Sequence, residues 1–122
     1  MPTVLVVEDS PTQQRMIAEL LRRNGISVIV ADNGIEALEQ VKEQHLDLVL
    51  LDIVLPKMNG YEVCRRIKSD TKTQNLAVVM CSAKKEEFDR YWGIKQGADA
   101  YIVKPFKPQE LLVKVRQFLP KH

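Results

Sequence analysis

The sequence predicts an α/β protein, a parallel β-sheet covered on both faces by helices. Three observations carry this. Short apolar runs alternate strictly with segments of helical periodicity, five times over, through short connections. One run, Leu48-Val49-Leu50-Leu51, is apolar at every position, as suits a strand buried on both faces at the centre of a parallel sheet. Each run gives way to a polar or charged residue just before a helix begins. Such units are joined by right-handed crossovers.

The elements follow in order. Thr3-Val4-Leu5-Val6-Val7 is β-branched and apolar, and it ends in Glu8-Asp9. Ser10 is a capping residue, Pro11 suits the first helical position, and Gln13 three places later completes a capping-box pattern. Met16, Ile17, Leu20 and Leu21 then recur at helical spacing until Asn24-Gly25. Ser27-Val28-Ile29-Val30-Ala31 is the second strand, and Asn33, with Glu36 three later, opens a helix carrying Ile35, Leu38 and Val41. The third strand closes at Asp52 and the loop 53–60, and a helix from about Tyr61 carries Val63, Cys64 and Ile67. A polar loop over 69–75 leads to the fourth strand, 76–81, which ends at Ser82. The fourth helix covers roughly 85–96, with Phe88, Tyr91 and Trp92 as its core stripe, one of them left partly exposed for a partner. Gly97 ends it. The fifth strand, Ala100-Tyr101-Ile102-Val103, ends at Lys104-Pro105. Pro108 starts the last helix, whose face is Leu111, Leu112, Val115, Phe118 and Leu119, and Pro120 stops it.

Composition narrows the function classes. The chain of 122 residues reads as one domain, 1–122, large enough to bury a core. A formal charge of +2 carries no nucleic-acid footprint. No apolar run approaches the ~20 residues that span a bilayer, and Met1-Pro2-Thr3 has no signal-peptide form. Cys64 and Cys81 do not make a disulfide framework and are expected to be small core residues of a reduced, cytoplasmic protein. His45 and His122 are given no role.

The chemistry is expected where the strands end, because in a parallel sheet all carboxyl ends lie on one edge and ligands gather beyond it. That edge would hold Glu8, Asp9, Asp32, Asp52, Ser82 and Lys104. If the strand order is 2-1-3-4-5, the first and third strands are neighbours, and Glu8, Asp9 and Asp52 crowd together. Asp32, on the outer strand, is further off. Three close carboxylates need a counter-charge. Mg²⁺ takes few carboxylates and keeps waters and phosphate oxygens, and a lysine supplies a further point charge of the kind that binds phosphate. Such a site can accept a phosphoryl group on Asp52, with Lys104 neutralising phosphoryl oxygens and the Ser82 hydroxyl donating to one. Singly, each residue has a plainer reading as a turn former, a helix cap or a solvated charge. The joint pattern on four strand ends favours chemistry.

At these residues the sequence resembles the receiver domains of two-component response regulators, most closely the stand-alone, CheY-like kind. The resemblance spans Thr3 to about Leu119 and rests on Val7-Glu8-Asp9-Ser10, Leu51-Asp52-Ile53-Val54-Leu55-Pro56-Lys57-Met58-Asn59-Gly60, Cys81-Ser82-Ala83, Gln96-Gly97-Ala98-Asp99 and Lys104-Pro105-Phe106. It implies a flavodoxin-like (βα)5 three-layer sandwich with the strand order 2-1-3-4-5, an order the residues alone do not supply. It implies that Asp52 is the phosphoacceptor, and that Glu8, Asp9, Asp52 and the Val54 backbone carbonyl hold Mg²⁺, or Mn²⁺ in its stead. Ser82 and Tyr101 would be the switch pair, Lys104 the phosphoryl-binding lysine, and Lys104-Pro105 a cis peptide. The donor would be a phosphohistidine on a CheA-like histidine kinase or a phosphotransfer domain. The fifth strand with helices four and five, including Phe88, Trp92 and Tyr101, would be the output face for a protein target. The protein would be a monomer or a weak, phosphorylation-dependent dimer. Trp92-Gly93-Ile94-Lys95-Gln96-Gly97-Ala98 is similar to regulators of type IV pilus twitching motility, the PilG and PilH kind. Val54 and Lys84 flank the path of attacking water, and an apolar Val54 cannot position one, so slow intrinsic dephosphorylation is expected.

Three other readings compete. A phosphatase of the haloacid-dehalogenase type wants a second Asp where Val54 stands, and a cap domain. A dinucleotide or flavin binder wants a glycine-rich turn where Glu8-Asp9-Ser10-Pro11 stands. An adaptor or phosphate sink without phosphorylation-driven output fits the same residues. The sequence ends after the fifth helix, so output through a protein contact is expected.

Overall fold

The computed structural model describes residues 1–121; His122 lies outside them. The elements are β1 (Thr3–Val7), α1 (Pro11–Arg23), β2 (Ser27–Ala31), α2 (Gly34–Glu43), β3 (Leu48–Leu51), α3 (Gly60–Ser69), β4 (Ala77–Ser82), α4 (Glu87–Lys95), β5 (Ala100–Val103) and α5 (Pro108–Gln117). The strands form one parallel sheet in the order β2-β1-β3-β4-β5, as the resemblance implies. Val7 is in register with Leu51, which brings the residues after both strands side by side. Among the described residues no helix is long and apolar enough to cross a membrane.

The pleat sorts side chains between two cores. Val4, Val6, Leu48, Leu50, Val79, Cys81 and Ile102 pack with Ile17 and Leu21 of α1 and Leu111, Leu112 and Val115 of α5. Leu5, Val7, Val49, Leu51, Val78 and Met80 pack on the other side with Ala37 and Val41 of α2 and Val63, Cys64 and Ile67 of α3. The apolar run of β3 is therefore buried at every residue, two side chains to each core. Each such side chain contributes ~1.5–3 kcal/mol.

Three helices open as their sequences direct. The side chains of Ser10, Asn33 and Asn59 accept from the backbone N–H groups of Gln13, Glu36 and Glu62 at 3.4, 2.8 and 3.0 Å. The reciprocal half of the first capping box is not made. The Ser10 N–H donates instead to Glu8 Oε2 at 3.1 Å, and the Gln13 side chain turns elsewhere.

Some apolar positions face differently from their periodicity. Met16 and Ile35 are exposed, the inward sets being Ile17, Ala18 and Leu21 in α1 and Gly34, Ala37 and Val41 in α2. The largest departure is α4, where Phe88, Tyr91 and Trp92 are 70%, 59% and 39% exposed and only Gly93 is buried. They are not a core stripe. A Cβ on Gly93 would lie 2.7 Å from Met80 Sδ, so this helix approaches the sheet through its glycine. At 100° per residue the aromatic positions then point sideways or outward.

Cys64 and Cys81 are buried free thiols, and burial pushes both up to about 12. Their thiolate populations at mild alkaline pH therefore fall far below that of a free cysteine. Alkylation by iodoacetamide is therefore expected to leave the native protein unmodified while both thiols react in denaturant. Labelling at equal rates in the two states would contradict this burial.

Candidate functional site

The site is assembled from backbone outward. The Glu8 N–H donates to Ala31 O at 3.1 Å and the Asp52 N–H to Val7 O at 3.1 Å, extending the ladder one residue past the strand ends. Beyond it, carboxylate oxygens of Glu8, Asp9 and Asp52 lie within 4.8 Å of one another. Asp9 is exposed, Asp52 half-buried and Glu8 buried. Asp52 Oδ1 accepts from the Ile53 N–H at 2.7 Å.

Lys104, after β5, reaches across to this cluster. Its ammonium donates to Glu8 Oε1, to Asp52 Oδ2 at 3.1 Å and to Gln13 Oε1 at 2.6 Å. Burial raises the Glu8 carboxyl above its usual range, outweighing the pull of Lys104 and the Ser10 N–H. Burial opposes the Lys104 ammonium, but the hydrogen bond to Glu8 and the charge of Asp52 prevail and hold its pKa above the usual lysine value. The Lys104-Pro105 peptide is cis.

Residues 4–116 match the response regulator receiver domain family. The chain belongs to that family. The receiver domain is 42% identical over 119 residues to the DNA-binding response regulator MtrA of Mycolicibacterium smegmatis, covering 98% of this chain and 51% of MtrA. It thus spans about half the length of the MtrA proteins it matches. It is 34% identical to protein PilH of Pseudomonas aeruginosa over 98% of both chains. The response regulator TrrA of Thermotoga maritima, solved in complex with Mg²⁺ and BeF, superposes with a TM-score of 0.88 at 33% identity, covering 98% of this chain and 100% of that one.

Within this receiver domain, the residues singled out from the sequence fall into three groups. Glu8, Asp9, Asp52 and Lys104 converge. Asp32 is outside the cluster and accepts from Gln14 Nε2 at 2.8 Å. Ser82 is buried at the end of β4, its Oγ accepting from the Lys84 N–H at 3.3 Å, and the Tyr101 hydroxyl donates to Lys84 O at 2.6 Å. Ser82 and Tyr101 therefore grip the same residue of the β4–α4 loop. Burial lifts the Tyr101 phenol to about 12. The Val54 side chain is exposed, and Lys84 stands 3.9 Å from Asp89.

Phe88 and Trp92 are exposed on α4, and Tyr101 is half-buried on β5. Arg90 lies over the Tyr101 ring at 5.9 Å, and Asp89 O accepts from the Tyr61 hydroxyl of α3 at 3.3 Å. Phe88 and Trp92 stack on each other at 6.3 Å, and Arg90 lines a groove with Ile94 and Tyr101. The site residue that the sequence reading missed is Gln13, seen there only as a helix-cap partner. No local pattern marks a contact to a side chain 91 positions away.

Proposed function

We propose that this chain acts as one receiver domain that accepts a phosphoryl group on Asp52 from a phosphohistidine of a kinase or phosphotransfer partner. The observation that carries the reading is the convergence of three carboxylates on a lysine that bridges Glu8 and Asp52. The donor set fits Mg²⁺: the clustered oxygens are hard ligands, and exposed Asp9 leaves room for the waters that this ion retains. Glu8, Asp9, Asp52 and the Val54 carbonyl would hold it. When bound it would neutralise charge on the transferring phosphoryl oxygens.

In the proposed step an Asp52 oxygen attacks phosphorus in line. The bond from phosphorus to the donor's imidazole nitrogen breaks, and its electron pair leaves with that nitrogen. Lys104 exchanges its bond to Asp52 Oδ2 for one to a phosphoryl oxygen, and the Ser82 hydroxyl donates to another. Movement of Ser82 shifts the β4–α4 loop, which Tyr101 reads through Lys84. The target would meet the region of α4, β5 and α5, including Phe88, Trp92 and Tyr101. The 34% identity to PilH over 98% of both chains supports this reading, and we place the domain in motility or chemotaxis control in the cytoplasm.

Incubation with phosphoramidate and Mg²⁺ is expected to add one phosphoryl group to the intact mass, and none in Asp52→Ala. With an exposed Val54 beside the acceptor, the adduct is expected to persist for minutes or longer. An unchanged parent mass would favour an adaptor, and decay within seconds would show that Val54 does not limit hydrolysis.

A further inference from the structure

We infer that Gln13 is a positioning residue for Lys104, the neutral acceptor that helps aim its ammonium at the phosphoacceptor site. The inference rests on the phosphoryl-transfer reading above. A lysine ammonium has three N–H donors. Three oxygens meet them here: Glu8 Oε1, Asp52 Oδ2 and Gln13 Oε1. Two of the three are carboxylates with other roles in the proposed reaction. Asp52 must release Lys104 as phosphorus approaches, and Glu8 belongs to the acidic cluster. Gln13 alone has no other part to play.

Its location suits the task. Gln13 stands in the first turn of α1, its N–H capped by Ser10 Oγ, directly after the Glu8-Asp9 pair. Its backbone is thus held at the helix start, from which the exposed side chain reaches Lys104 Nζ at 2.6 Å. With Lys104 it lines an open groove together with Met16, Ala83, Pro105 and Phe106. The amide is also neutral. A glutamate there would bind the ammonium more strongly, but it would add a fourth negative charge beside three and repel an anionic donor. Gln13 directs Lys104 without weakening the attraction for phosphate.

The test compares the parent with Gln13→Met, which keeps the chain's length and apolar stem but loses the acceptor, and with Gln13→Glu. Three quantities are read: the rate of phosphoryl acceptance from phosphoramidate and Mg²⁺, the Tm, and the ¹⁵Nζ signal of Lys104 in metal-free protein. Gln13→Met is expected to slow acceptance about tenfold at an unchanged Tm and to broaden or shift the Nζ signal. Gln13→Glu is expected to keep the ordered Nζ signal yet accept phosphate slowly at low salt, with the deficit shrinking as salt is added. An unaltered Nζ signal in Gln13→Met, or acceptance within twofold of the parent, would overturn the inference. A parent that takes up no phosphate would overturn the functional reading instead, and the Nζ comparison would still decide the positioning role.

Discussion

Lys104→Met is expected to destabilise the protein by about 3 kcal/mol at neutral pH, and by far less in acid. The Lys104 side chain is 13% exposed and its partners Glu8 and Asp52 are 4% and 12% exposed. Breaking a buried pair from one side costs about 3–5 kcal/mol, because the remaining charge stays desolvated. Exposed Asp9 lets water reach one side of the cluster, which favours the lower end. The pH dependence follows from Glu8. Burial already raises its pKa above the usual carboxyl value, against the pull of Lys104. Without that pull it rises further. A carboxyl whose folded pKa is raised favours folding below its unfolded value, and the stability is lost as pH rises through the folded one. The Tm gap between variant and parent should therefore be small near pH 4 and widest near pH 7. Adding Glu8→Gln should recover most of the loss, since it removes the stranded charge. A gap independent of pH would mean that lost packing of the lysine stem, not charge, sets the cost.

The strand tips were legible because one local fact and one rule suffice to find them. Apolar runs such as Leu48-Val49-Leu50-Leu51 have no stable place except between two helical layers, and a parallel sheet sends all its carboxyl ends to one edge. The acid cluster follows once β1 and β3 are neighbours. That adjacency is not written in any run; it came from the resemblance, and the register of Val7 with Leu51 bears it out. The face of α4 was not legible for a related reason. Periodicity finds an apolar stripe but does not say what it faces, and where the inward residue is Gly93 the stripe points to solvent. Gln13 was misread because the capping-box pattern is local, whereas its side chain is claimed by Lys104 from the far end of the chain.

Gly60→Ala is expected to couple a loss of stability to a loss of phosphoryl acceptance. A Cβ at Gly60 would lie 2.2 Å from Asp52 O and 2.8 Å from Ile53 Cα, and both are backbone atoms that no rotamer change can move aside. The same glycine donates its N–H to Ile53 O at 2.8 Å, and Asn59 caps α3 on the Glu62 N–H at 3.0 Å. The start of α3 thus lies directly beneath the residue proposed to take phosphate. Relieving the contact requires a shift of about 1 Å in the helix or in Asp52. Overpacking of this kind costs about 3 kcal/mol, or about 10 °C in Tm for a chain of this size. If Asp52 is what moves, displacement on that scale slows acceptance about a hundredfold. Gly25→Ala is the control. Gly25 has a φ of 79° and nothing within 4 Å of its added Cβ, so the substitution brings only backbone strain, about 1 kcal/mol, far from the site. It should lower Tm modestly and leave acceptance at the parent rate. A Gly60→Ala protein that melts early but accepts phosphate at full speed would show that the helix yields while Asp52 holds its place.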